Sequence, residues 1–194
     1  LPDAYWDRIA GLGFSWVWLM GVWQTGPAGR EISRNRADWR DGFRQDLHDV
    51  ADADVVGSPY SILRYQVHAD FGGDEALAQV REKLAQRGVQ LMLDFVPNHT
   101  AIDHEWVYAQ PNWYIAGDES LLASQPGNYF RAATHKGETI LAHGRDPYFP
   151  GWPDVAQLNY RHAGLRRAMI EQLLAVAAHC DGVRCDMAML LAPD

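Results

Sequence analysis

The sequence predicts an α/β fold on a parallel sheet, and three stretches carry that expectation. Gln90–Val96 places five apolar residues around one acid, Asp94. A continuous apolar run of this length reads as a strand buried on both faces. A helix with an apolar stripe at Leu77, Val80 and Leu84 leads into it through Gly88. A second helix, Leu165–His179, leads in the same way into Asp181–Ala188, and Ser15–Met20, SWVWLM, reads as a further buried strand. Strand–helix–strand units of this kind build parallel sheets with right-handed crossovers.

Each element has its own local reason. Asp3–Leu12 is expected as a helix with Asp3 as N-cap and Gly11 or Gly13 near its end. Trp16 and Trp18 share one face of the Ser15–Met20 strand and read as core. Gln24–Pro59 is long for a strand-to-helix connection. It mixes five arginines with six aspartates, which suits a solvated, partly helical flap. Because it follows a strand end it also suits a lid, with Trp39 as its best candidate for stacking on a ligand. Asp74–Arg87 is a helix capped by Asp74 and stopped by Gly88. Residues 100–164 lack helical periodicity over most of their length and hold Pro111, Pro126, Pro147, Pro150 and Pro153. They are expected as a small irregular subdomain beside a crevice. Leu165–His179 presents Leu165, Met169, Ile170, Leu173, Leu174 and Ala177 on one side.

The chemistry gathers at strand ends. A carboxylate such as Asp94 is too costly to leave unpaired inside a buried strand. It fits at the C-terminal end, where core gives way to a ligand crevice. Pro97, Asn98 and His99 follow as a polar turn. In the second run, Arg184 and Asp186 lie two residues apart and so point to one face. An inward arginine beside an inward aspartate holds the carboxylate ionised and oriented, as a nucleophile requires.

These stretches carry a resemblance. Leu93–His99, LDFVPNH, resembles the first signature region of the α-amylase superfamily, glycoside hydrolase family 13, which reads Asp-x-x-x-Asn-His. Gly182–Asp186, GVRCD, resembles its second, Gly-x-Arg-x-Asp. Tyr60–Gly72, YSILRYQVHADFG, is similar to the family's tyrosine-rich segment, and Leu12–Leu19 to its second barrel strand. The resemblance implies a (β/α)₈ barrel, which needs roughly 200 to over 400 residues. With residues 100–164 set aside as an insert, 129 of the 194 residues remain. The expected fold class is therefore α/β, a partial barrel of about half the strands, with an irregular domain-B-like insert after the third. Residues 1–99 would be the first part of the barrel, 100–164 the insert, and 165–194 a truncated continuation bearing the nucleophile strand.

The resemblance also implies roles. Asp186 would be the nucleophile of a retaining glycoside hydrolase or transglycosylase on α-glucosidic linkages, with Arg184 paired to it. Asp94 would brace the site. His99 would hydrogen-bond sugar hydroxyls, and Tyr60 would stack on the ring at the same subsite. Asn98 binds calcium in many relatives and is structural in others, so no cofactor is obligatory and calcium at Asn98 is an option. The expected partner is an α-glucan or oligosaccharide. Three departures stand out. Asp186 is followed by Met187-Ala188-Met189-Leu190, without the Lys-His pair common in α-amylases. The general-acid Glu of the next strand and the later third acid are not found before Asp194, and the first barrel strand is not visible before Asp3. This stretch alone is expected to be inactive.

A non-catalytic relative acting as a binding or scaffolding protein is the alternative, and the intact Arg184–Asp186 pair speaks against it. A metal hydrolase built on His99, Asp103 and His104 is the third reading; histidine ligands do occur at short spacings, but a catalytic zinc site usually has three protein ligands in a settled geometry. The net charge of -8 argues against nucleic acid or an anionic membrane surface. No apolar run approaches ~20 residues, so no membrane span is expected. The chain starts with Leu, not Met, which reads as a cut or processed N-terminus. Cys180 and Cys185 read as buried free thiols. Free thiols favour a cytoplasmic setting slightly, and the compartment otherwise stays open.

Overall fold

Along the chain the elements are α1 (Asp3–Gly11), β1 (Trp16–Leu19), β2 (Trp23–Thr25), α2 (Pro27–Asn35), α3 (Ala37–Asp46), β3 (Ile62–Val67), α4 (Gly73–Ala85), β4 (Gln90–Phe95) and β5 (His99–Ala101). After them come α5 (Glu105–Ala109), α6 (Glu119–Ser124), β6 (Tyr129–Thr134), β7 (Gly137–Gly144), β8 (Trp152–Gln157), α7 (Ala163–Ala178) and β9 (Gly182–Cys185). This computed structural model describes residues 1–191.

β1, β4 and β9 are parallel neighbours in the order β1–β4–β9, as the apolar runs predict. Leu91 and Leu93 of β4 are fully buried against a helical layer that contributes Leu84 from α4 and Leu165 and Val176 from α7. Burial of each such side chain contributes about 1.5–3 kcal/mol. Asp181 ties the layers together. One carboxylate oxygen accepts from Arg81 of α4 at 2.6 Å, and the other accepts from the Leu91 amide of β4 at 2.9 Å. The Leu91 amide and Arg81 hold its pKa below the ordinary aspartate value.

The insert departs from expectation. It is not irregular: β5, β8, β7 and β6 form a four-stranded antiparallel sheet, flanked by α5 and α6. Its strands carry little periodic signal: only the end of β6 alternates in burial, while β7 and β8 bury consecutive residues. β6 and β7 pair from Tyr129↔Ala142 to Thr134↔Gly137 around a tight turn at His135-Lys136. Gly137 closes that turn at φ +99°, a conformation glycine adopts without Cβ strain. Pro153 falls second in β8, ahead of the β5 pairing that starts at Val155 and beside the register shift against β7, where the loss of one donor is tolerated. β3, antiparallel to β2, also lies in a segment where no strand was expected.

Smaller expectations fail for local reasons. The N-cap of α1 is Pro2, and Asp3 sits inside the first turn, 2.7 Å from Lys83. α4 starts from Gly72, and the Asp74 carboxylate instead accepts from the Val67 amide at 3.1 Å. Trp16 and Trp18 are 40% and 43% exposed, with Gly182 and Arg184 of β9 approaching that face of β1. Cys180 is buried, but Cys185 is exposed, on the opposite side of the edge strand β9 from Arg184.

Candidate active site

β4 and β9 end side by side, and their register sets Asp94 beside Arg184. Arg184 Nη1 donates to Asp94 Oδ1 at 2.9 Å and to the Tyr60 hydroxyl at 3.2 Å, while Nη2 lies 2.9 Å from Asp186 Oδ1. The guanidinium lies 4.7 Å from the Trp18 ring centroid and 5.6 Å from that of Tyr60. Cation–π attraction therefore adds to the charge pairing. The two carboxylate side chains are only 3% and 11% exposed. One cation between two acids leaves the cluster with a net charge of about −1. Burial raises the Asp186 pKa above the ordinary aspartate value, Arg184 opposes that rise, and Asp94 reinforces it. The hydrogen bond to Asp94 is the main reason Arg184 holds its proton more tightly than usual.

The backbone aims Asp186. Its amide donates to the Phe95 carbonyl at 2.8 Å, which extends the β4–β9 pairing by one residue. Met187 then takes φ +53°, a left-handed conformation that costs a non-glycine residue roughly 1–3 kcal/mol. That reversal carries the chain away immediately after the carboxylate. Asp186 lies in a cleft of about 340 Å³ that it shares with Trp39, Tyr60, His99, Trp152 and Asp154. Three aromatic faces around a buried acid suit a ligand with apolar ring faces and polar edges.

His99 is 4% exposed and packs edge-on against Trp152 at 5.4 Å. Burial pushes its pKa down to about 4, opposed by a hydrogen bond with the Tyr60 backbone, so the ring is neutral near pH 7. Burial also lowers His104 to about 4. Both start from an ordinary value near 6.5. Between about 6.5 and 4 the unfolded chain takes up protons at these rings and the folded chain does not. Stability therefore falls as pH falls through that window. Urea denaturation near each end of it should show a smaller loss in a His99→Gln, His104→Gln double variant than in the parent.

The cleft has two walls from distant parts of the sequence. Trp39 comes from α3, and Trp152 and Asp154 come from β8. The walls touch at the start of α2, where the Ala28 amide donates to Asp103 Oδ2 at 2.9 Å. Gly29 of α2 lies so close that a Cβ there would meet Ser61 Oγ at 3.0 Å and Asp154 Cβ at 3.3 Å. Trp18, Trp152, Asp154 and Met187 are the residues that sequence reasoning did not place at the site. Alternation along β8 puts Trp152 and Asp154 on one face and was the available signal.

The structure thus brings Tyr60, Asp94, Arg184 and Asp186 into direct contact and sets His99 on the same cleft. Asn98 lies behind His99, fully buried, with its amide nitrogen 3.2 Å from His99 Nδ1 and its side-chain oxygen accepting from Gln157 Nε2 at 2.9 Å. The His99, Asp103 and His104 trio does not converge: Asp103 faces α2, and His104 Nδ1 accepts from the Trp106 amide. Among the described residues no group of three His, Cys, Asp or Glu side chains is placed to hold a metal.

Comparison with known proteins bears on the family and the fold. A model of the α-amylase catalytic domain matches residues 7–194. An α-glucosidase of Culex pipiens is 27% identical over 131 residues, covering 63% of this chain and 23% of that protein. An α-amylase of Haloarcula japonica is 25% identical over 158 residues, covering 79% and 21%. The crystal structure of a noncanonic maltogenic α-amylase from Thermotoga neapolitana superposes with a TM-score of 0.63 at 23% identity, over 98% of this chain and 35% of that one. The chain spans roughly a fifth to a quarter of these curated relatives and about a third of that structure. From its signature strands to its fold, the chain belongs to the α-amylase catalytic-domain family.

Proposed function

We propose that the protein carrying this chain is a retaining glycoside hydrolase or transglycosylase acting on α-glucosidic linkages, with Asp186 as its nucleophile. The observation that carries this reading is the buried Asp186 carboxylate, held by Arg184 and facing an aromatic-lined cleft at the C-terminal mouth of the parallel strands. An Asp186 oxygen attacks the anomeric carbon and the C1–O bond to the leaving group breaks. A glycosyl ester forms, and water or a sugar hydroxyl then displaces the carboxylate. Tyr60 and the cleft aromatics hold the ring, neutral His99 donates to a sugar hydroxyl, and Asp94 keeps Arg184 in place. Asp94 is itself bound to Arg184, so the reading assigns the proton for the leaving oxygen to another carboxyl group. Residues 1–194 alone would then hold the nucleophile half of the chemistry and give no turnover.

A 5-fluoro-α-glucosyl fluoride tests this in the whole protein, because fluoride leaves without an acid and the fluorinated ester is slow to hydrolyse. Peptide mapping should find the label on Asp186. A label on Asp94, or none, would overturn the assignment and favour a binding protein that kept the fold.

A further inference from the structure

We infer that the Gln157 side-chain amide stands in for a cation where β4 hands the chain to the insert, and that through Asn98 it sets which nitrogen of His99 carries the ring proton. Three oxygens converge on Gln157 Nε2: Asn98 Oδ1 at 2.9 Å, the Asn98 carbonyl at 3.0 Å and the Leu158 carbonyl at 3.5 Å. Asn98 is fully buried. The Asn98 carbonyl also accepts from the Leu158 amide at 3.1 Å, so it is the Asn98 side-chain oxygen that depends on Gln157, and leaving it without a donor costs about 1–3 kcal/mol. An amide NH₂ brings two donors and no net charge. Gln157 supplies them from β8, directly across from His99 of β5. The expectation of calcium at Asn98 is therefore not met by the donor set. The oxygens that would bind an ion already face a nitrogen, and the side chain that reaches them is neutral.

The same contact orients Asn98. Its oxygen must face the Gln157 amide, so its NH₂ end faces His99, with Nδ2 3.2 Å from His99 Nδ1. Nδ1 is thereby an acceptor, and the proton of the neutral ring resides on Nε2. Gln157 is a positioning residue: it touches the ring only through Asn98. That N–H serves the ring's hydrogen bond with the Tyr60 backbone, so a sugar hydroxyl would share or displace the carbonyl, a use that rests on the function proposed above; the cation argument does not rest on it.

Thermal unfolding of the whole protein, with EDTA and with millimolar calcium chloride, tests the first half. The parent should melt at the same temperature in both and take up no calcium by calorimetric titration. Gln157→Glu turns the converging donor into a fourth oxygen. It should melt roughly 4–8 °C lower in EDTA and recover in calcium. Gln157→Leu should be lowered equally in both. A parent that melts lower in EDTA or binds calcium stoichiometrically would overturn the stand-in, as would a Gln157→Glu variant indifferent to calcium. If Gln157→Glu fails to fold, the parent measurements remain decisive. Imidazole ¹⁵N shifts test the second half. Nε2 should be protonated in the parent and both tautomers present in Gln157→Leu, whereas a parent protonated at Nδ1 would overturn it. These readouts need no turnover, so they stand or fall separately from the trapping experiment.

Discussion

Asp186→Asn should lower glycoside turnover by at least about a thousandfold, ~4 kcal/mol of barrier, and leave the fold intact. Asparagine keeps the size and shape of the side chain, and its carbonyl oxygen can still accept from Arg184. Its neutral amide cannot attack the anomeric carbon to form the glycosyl ester. Folding should tolerate the change because Arg184 retains Asp94 as a partner at 2.9 Å. Removing a charge that burial disfavours also offsets part of the lost pairing. Rates on an aryl α-glucoside, with melting curves on the same preparations, check both statements. Near-parental turnover in a folded Asp186→Asn protein would refute the nucleophile.

Arg184→Met should be the most damaging single change to the site's architecture. It leaves two nearly buried carboxylates without their shared cation, taking the cluster from a net charge of about −1 to about −2. Removing one partner from such a buried arrangement costs about 3–5 kcal/mol. Arg184 is 37% exposed, which places the expected loss near the lower end, about 3 kcal/mol. The pH dependence follows from Asp186. Its pKa is already raised by burial, with Arg184 opposing, so losing the guanidinium raises it further. A carboxyl whose folded pKa lies above its unfolded value holds its proton better when folded. The variant should therefore recover stability as pH falls toward that folded pKa and lose it as pH rises. Only the ionised form is a nucleophile, so the acid limb of kcat/KM should move to higher pH. Urea denaturation at two pH values and a pH–rate profile measure these effects. An unmoved acid limb would show that Arg184 does not govern Asp186, whereas Arg184→Lys should restore part of the parental profile.

The parallel sheet was legible because its strands are apolar runs behind amphipathic helices, a pattern set by burial alone. The cluster at its mouth was legible for a related reason. Arg184 and Asp186 share a face by strand geometry, and Asp94 ends the neighbouring run. What could not be read depends on contacts between distant segments. The 71-residue separation of the Trp23 indole from the Asp94 carbonyl it donates to is one case. The stacking of Arg184 on Trp18 is another, since a tryptophan in an apolar run looks like core until the cation above it is known. Residues 100–164 were misread because prolines and aromatics were weighed above strand length, and because only the end of β6 alternates in burial while β7 and β8 bury consecutive residues. Their sheet then carried Trp152 and Asp154 to the cleft unseen.

The contact between the Ala28 amide and Asp103 has a mechanical consequence. The two walls of the cleft come from separate segments of the chain, yet the α2–α3 arm is fastened beside the antiparallel sheet, with Gly29 against Ser61 and Asp154, rather than standing free over the strands. Movement of one wall is therefore passed to the other, and the cleft widens or narrows as a unit. A graft of the arm alone would need an acceptor placed like Asp103 for its first turn.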